Sequence, residues 1–231
     1  MSPTRRTLQL LLGLLGYASS MAMLLHAGQG GMPWDVLHQG IVRRTGLPFG
    51  VVVVTLSALA LLAWIPLRQR PGWGTLANVV VIGLAIDPAL ALVELLVPAP
   101  GVAASVALAV GGVLLNGLAT SAYLGVRLGP GPRDGLMTGL VARTGRSVRV
   151  VRTAIEVVVV AVGWALGGTL GWATLLYALG VGPVVQATAR WFAPRRPLAA
   201  PSQPFSGAGA PAPARAAPAA PQVPAQETTA G

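Results

Sequence analysis

Six long apolar runs, at residues 8–27, 48–67, 75–97, 103–125, 149–167 and 170–188, leave this chain few folds to choose from. A helix needs about 20 mostly apolar residues to cross ~30 Å of hydrocarbon at 1.5 Å per residue. Each run meets or nearly meets that length, so we expect an all-α polytopic bundle with six transmembrane spans. Composition agrees. Charged residues make up 10% of the 231 residues and hydrophobic ones 54%, whereas soluble domains carry roughly 25% charged residues. A soluble domain of this size would lack polar cover. Glycines inside the runs, such as Gly13, Gly16, Gly83, Gly117 and Gly182, would weaken helices in water, but in lipid they let backbones approach closely.

The charge that does exist sets an orientation. All sixteen basic residues are Arg, and the net charge is +10. They fall in clusters between apolar runs: Arg5/Arg6, Arg43/Arg44, Arg68/Arg70, Arg127 to Arg152, and Arg190/Arg195/Arg196. With the N-terminus inside, the 68–74 loop, the 127–148 loop and the C-terminal tail all become cytoplasmic, and only Arg43 and Arg44 fall outside. That is the positive-inside pattern of an inner-membrane protein with both termini in the cytoplasm. Nucleic acid is not an expected partner, because no basic face is free of an adjacent span. Arg5 and Arg6 before the first apolar run also suit a cleavable signal, even a twin-Arg one. The internal repeat argues against cleavage.

Residues 32–46 read MPWDVLHQGIVRRTG and residues 131–145 read GPRDGLMTGLVARTG. At an offset of 99, eight of these fifteen positions are identical: Pro33/Pro132, Asp35/Asp134, Leu37/Leu136, Gly40/Gly139, Val42/Val141, Arg44/Arg143, Thr45/Thr144 and Gly46/Gly145. The same offset pairs Gly72/Gly171, Trp73/Trp172, Thr75/Thr174 and Gly83/Gly182 without a gap. We read an internal repeat: residues 1–7 as the cytoplasmic N-terminus, 8–97 as repeat 1, 98–190 as repeat 2 and 191–231 as a tail. Three spans per unit make the second unit enter from the opposite side, which is an inverted-topology repeat. Span 1 is then the counterpart of span 4 and is retained.

In each repeat loop Pro33 or Pro132 suits a first helical turn. Asp35 or Asp134 suits the positive end of the helix dipole, and Gly46 or Gly145 suits a stop. The segment is either an amphipathic helix at the interface or a partly re-entrant one lining a cavity. The turns Gly72-Trp73-Gly74-Thr75 and Gly171-Trp172-Ala173-Thr174 offer Thr75 and Thr174 as N-caps. They suit a Trp anchored at the interface or, less specifically, an anion at a helix N-terminus. The fifth and sixth runs meet at Gly167-Gly168-Thr169, which predicts a tight helical hairpin.

Few ionisable groups fall within the runs. Asp87 sits near the middle of the third run and Pro88 follows it, which predicts a kink. A carboxylate beside a broken helix is either an ion or proton site or a hydrogen-bonded structural group. Glu94 lies two turns on, with His26 as its expected neighbour. Glu156 follows Arg152 by four residues, the spacing of an ion pair on one helix face. Asp87, Glu156, Arg152 and Glu94 are the candidates for a polar centre. Asn78 and Asn116 are expected to bond between helices, and His38 is expected on the surface.

Catalysis has little support. Cys is absent, as is Lys, which removes disulfides, thiolates and Schiff-base chemistry. No HExxH, GxSxG or P-loop occurs, and no cofactor or metal is expected. The Pro- and Ala-rich tail after residue 190 cannot bury a core and is expected to be disordered.

Met32-Pro33-Trp34-Asp35-Val36-Leu37-His38-Gln39-Gly40, Gly72-Trp73-Gly74-Thr75, Gly131-Pro132-Arg133-Asp134-Gly135-Leu136-Met137 and Arg152-Thr153-Ala154-Ile155-Glu156 together resemble the YczE-like integral membrane proteins of bacteria, which are related to the broader YitT group. The resemblance covers about residues 8–190. It implies a bacterial inner-membrane protein without naming a substrate. Two functions are carried forward: a transporter of a small solute or ion, and a membrane scaffold or accessory protein for another enzyme system. The lipid bilayer is the expected partner under both.

Overall fold

Proline and glycine set the ends of two short helices, one in each half. The computed structural model describes residues 2–192, and every regular element among them is an α-helix. Four are long: α1 (Pro3–Ala27), α4 (Trp73–Leu96), α5 (Val102–Gly125) and α8 (Trp172–Phe192). Four are shorter: α2 (Pro33–Thr45), α3 (Phe49–Trp64), α6 (Pro132–Thr144) and α7 (Val148–Ala165). α2 and α6 start on Pro33 and Pro132, and they stop where Gly46 and Gly145 turn left-handed at φ 70° and 65°. Proline fits the first turn because its missing N–H would be unpaired there, and glycine fits the stop because it has no Cβ to strain. The first four helices start at residues 3, 33, 49 and 73, and the last four at 102, 132, 148 and 172. Each start thus recurs at the 99-residue offset of the sequence repeat.

α1 and α5 form the centre and run antiparallel, with Gly13 against Tyr123 and Gly112 against Leu24. A Cβ on Gly13 would lie 2.8 Å from the Tyr123 amide nitrogen, so this approach requires glycine. α4 lies along α1 and α8 along α5. The shorter helices cross between halves: α2 packs on α7, and α6 on α3. The core is aliphatic and aromatic, built on Leu14, Met21 and Leu24 of α1 with Ile86 of α4, Val113 of α5 and Tyr177 of α8. The outer surface is apolar too. Val102 is 84% exposed and Leu95 77%, and only a lipid solvent makes such a surface stable.

Among the described residues, α1, α4, α5 and α8 are long and apolar enough to cross a membrane. A fifth crossing follows if α2 and α3, bent by 120° at a break between them, count as one span. The expected second span, 48–67, is shortened: α3 ends at Trp64 after 16 residues, about 24 Å of helix. α7 has 18 residues and carries Arg149, Arg152 and Glu156. The expected hairpin of the fifth and sixth runs does not form a packed pair. Gly163 and Gly168 press on the Val36–Leu37 backbone and hold α7 on α2, while α8 packs on α5. α8 continues to Phe192, past the expected start of the tail. The rest of that tail, expected to be disordered, lies outside the described residues.

Candidate functional site

The N-terminal halves of α2 and α6 bring ionisable groups together inside the fold. Asp35 and His38 on α2 are both fully buried. His38 Nδ1 lies 3.2 Å from Asp35 Oδ1, and the imidazole meets Phe49 edge-on with ring centroids 5.6 Å apart. Arg133, from the first turn of α6, reaches across. Its guanidinium stands 5.1 Å from the centre of the Trp34 ring, and its Nη2 lies 3.4 Å from His38 Nε2. A guanidinium only donates, so Nε2 is the acceptor and Nδ1–H is the donor to Asp35. This tautomer uses both ring nitrogens. Trp34 and Arg133 are counterparts at the 99-residue offset, so they touch where the two halves meet.

Arg133 thus reaches one carboxylate, Asp35, through His38 and acts at longer range on a second, Asp134. Asp134 Oδ2 accepts from the Tyr123 hydroxyl at 3.1 Å. Burial pushes the Asp134 carboxyl above its usual range, while the Tyr123 hydroxyl and Arg133 pull it back. Asp35 Oδ2 is buried and has no hydrogen-bond partner among the described residues. An unpaired polar atom in such a place costs about 1–3 kcal/mol, and more if it is charged. Around this pair lies a layer of hydroxyls and amides. Tyr17 donates to Met32 Sδ at 3.5 Å and meets the Tyr123 ring edge-on. Asn116 donates to Ser20 at 2.8 Å and accepts from Tyr177 at 3.0 Å.

Of the groups expected to form the polar centre, Asp87 and Glu94 lie elsewhere, while Arg152 stands close enough to pull on the Asp134 carboxyl. Asp87 accepts from the Gly50 amide at 3.1 and 3.2 Å, so its carboxylate satisfies the start of α3 and fastens it to α4. α4 continues through Pro88 as one helix. Arg152 Nε donates to Glu156 Oε1 at 2.8 Å, and that pair faces the outside of α7. Glu94 is exposed. His26 does not meet it; its Nε2 lies 2.7 Å from the Val97 carbonyl at the end of α4. No hydrogen bond or ion pair among the described residues joins Asp87, Glu94 and Glu156. His38, expected on the surface, is buried because α2 turns its first three turns inward and exposes only Arg43, Arg44 and Thr45.

The helix-start turns have partners within the chain. The Gly74 amide donates to the Leu128 carbonyl at 2.9 Å, and the Ala173 amide to the Gln29 carbonyl at 3.0 Å. Thr75 Oγ1 accepts from Gly72 N and donates to the Pro130 carbonyl at 2.7 Å. Thr174 Oγ1 accepts from Gly31 N at 3.2 Å. α4 and α8 begin on Trp73 and Trp172, so the threonines stand one turn inside rather than at the N-cap. Gly72 abuts the Leu128 carbonyl and Gly171 that of Gln29, while Gly40 rests on α7 and Gly139 on Leu67. The repeat glycines are thus contact points between halves. Arg133, Trp34, Tyr17, Tyr123, Tyr177 and Ser20 were not among the candidates from sequence. The readable signal was that all three tyrosines of the chain fall inside apolar runs.

Residues 4–190 match DUF6198, a family of unknown function. An uncharacterised protein of Haemophilus influenzae is 38% identical over 175 residues, covering 76% of this chain and 78% of the relative. The uncharacterised membrane protein YczE of Bacillus subtilis is 31% identical over 156 residues, covering 67% of this chain and 71% of that protein. No solved structure matches.

Proposed function

This chain belongs to the DUF6198 family, with YczE-like membrane proteins among its relatives, and from that premise we propose that it moves a small solute or an ion across the bacterial inner membrane. The reading takes six crossings, α1, α3, α4, α5, α7 and α8, as two three-span halves of opposite direction. The loop helices α2 and α6 tuck inward from opposite faces. Three features support it: the matched helix starts, the antiparallel α1–α5 pair, and the contact of the counterparts Trp34 and Arg133. Both termini are cytoplasmic on the same reading, since that leaves only Arg43 and Arg44 outside. No bond-making chemistry, cofactor or nucleic-acid partner is assigned.

The observation that carries transport is Asp35. A fully buried carboxylate with one oxygen unpartnered costs stability, and a purely structural bundle gains nothing from it. At the junction of two inverted halves it is where transporters bind their cargo. On this reading Asp35 and Asp134, both candidates from the repeat loops, carry the function together with His38 and Arg133. The test is flux into vesicles reconstituted with the full chain, read over protons, Na⁺, K⁺ and a panel of small anionic and neutral solutes. We expect Asp35→Asn and Arg133→Gln to lose at least tenfold in flux, with Asp87→Asn unchanged because it keeps an acceptor for Gly50. If the parent moves nothing faster than empty vesicles do, the chain is the non-transporting scaffold.

A further inference from the structure

A groove of about 350 Å³ runs along the lipid-facing side of the α1–α5 pair and ends against Phe192 of α8. On α1 it follows one face, from Arg5 and Gln9 to Gly13 and Gly16, with Ala119 and Leu118 of α5 opposite. Arg5 and Gly16 are eleven residues apart, about 16 Å of helix. That is about half of a ~30 Å hydrocarbon core, so the groove is one leaflet deep. A Cβ placed on Gly16 would touch Ala119 Cβ at 3.4 Å, so a larger side chain there would enter the groove.

Charge marks one end of it. Arg5 is exposed at the mouth. Arg6 beside it donates to the Val126 carbonyl at 2.7 Å, and Arg127 and Arg190 belong to the same end of the bundle. No Asp or Glu occurs among residues 2–12, 113–128 or 183–192. The corresponding positions of the other half lack this charge. At the 99-residue offset Arg5 becomes Ala104, Gln9 becomes Leu108 and Gly16 becomes Leu115. The cationic mouth therefore belongs to only one of the two related faces of the α1–α5 pair.

We propose that this groove binds one anionic phospholipid of the cytoplasmic leaflet, with its phosphate at Arg5 and an acyl chain along Gly13, Gly16 and Ala119. The inference is independent of what the centre transports. It is tested with the full chain taken from vesicles of equal parts phosphatidylcholine and phosphatidylglycerol into mild detergent, counting retained lipids by native mass spectrometry. The parent retains one phosphatidylglycerol in preference to phosphatidylcholine. Arg5→Gln lowers that preference about fivefold, the weight of one arginine at an anionic surface, and it alters an exposed residue, so folding is not at stake. Gly16→Leu fills the groove and loses the bound lipid of either kind. Retention by both variants equal to the parent's overturns the proposal. So does a parent that retains no lipid, or a dimer that Gly16→Leu converts to a monomer without any change in lipid, which would make a second copy the occupant.

Discussion

Asn116 shows what one polar side chain is worth in this bundle. It joins α5 to Ser20 of α1 and to Tyr177 of α8, and it was readable in the sequence as an amide inside an apolar run. Asn116→Leu leaves the Tyr177 hydroxyl without its acceptor, while Ser20 loses a donor but still donates to the Tyr17 carbonyl at 2.6 Å. We expect it to cost about 1 kcal/mol, the usual scale for a bond between membrane helices, seen as a lower midpoint of unfolding in SDS. An unchanged midpoint would mean that Tyr177 finds a new partner. Asp87 was equally conspicuous, as a carboxylate in the middle of an apolar run, but its role was not legible. Its partner is a backbone amide 37 residues away, and a backbone amide leaves no mark in a residue pattern. Asp35 was read correctly as a first-turn carboxylate. Its burial depends on which way α2 points, which the letters do not encode.

Helix ends were the most legible elements. Pro33 and Pro132 start α2 and α6, and Gly46 and Gly145 stop them, because these residues act through local backbone sterics. Helix pairing was not legible, and the two halves differ most there. Gly83 packs on Val54 of α3, whereas its counterpart Gly182 on α8 has no atom within 4 Å of an added Cβ. The seam between α3 and α4 is closed, and that between α7 and α8 stands open. Gly83→Leu should therefore cost about 2 kcal/mol through overpacking. Gly182→Leu should stay within about 1 kcal/mol of the parent, or gain from helix propensity. Thermal stability of the two variants in one detergent checks this, and equal losses would mean that α7 and α8 close in the membrane.

At the scale of the molecule, the absence of Cys gives a clean background for labelling. Thr45 and Thr144 are both exposed, stand at the ends of α2 and α6, and are counterparts at the repeat offset. If the halves are inverted, Thr45→Cys reacts with a membrane-impermeant maleimide on intact cells, and Thr144→Cys reacts only after permeabilisation. Labelling of both from one side would sink the inverted topology. The sequence alone determined the membrane class, because apolar runs and sparse charge are sums over composition. It also determined the 99-residue recurrence of helix starts, because proline, glycine and apolar length act locally. Only the tertiary structure decided which ionisable groups meet. Asp35, His38 and Arg133 come together through the inward tilt of two short helices held on opposite halves, while Asp87 is diverted to cap α3. Burial and partnership are properties of how helices pack across a hundred residues of chain, and the close backbone approaches at glycine that set this packing carry no side-chain signal.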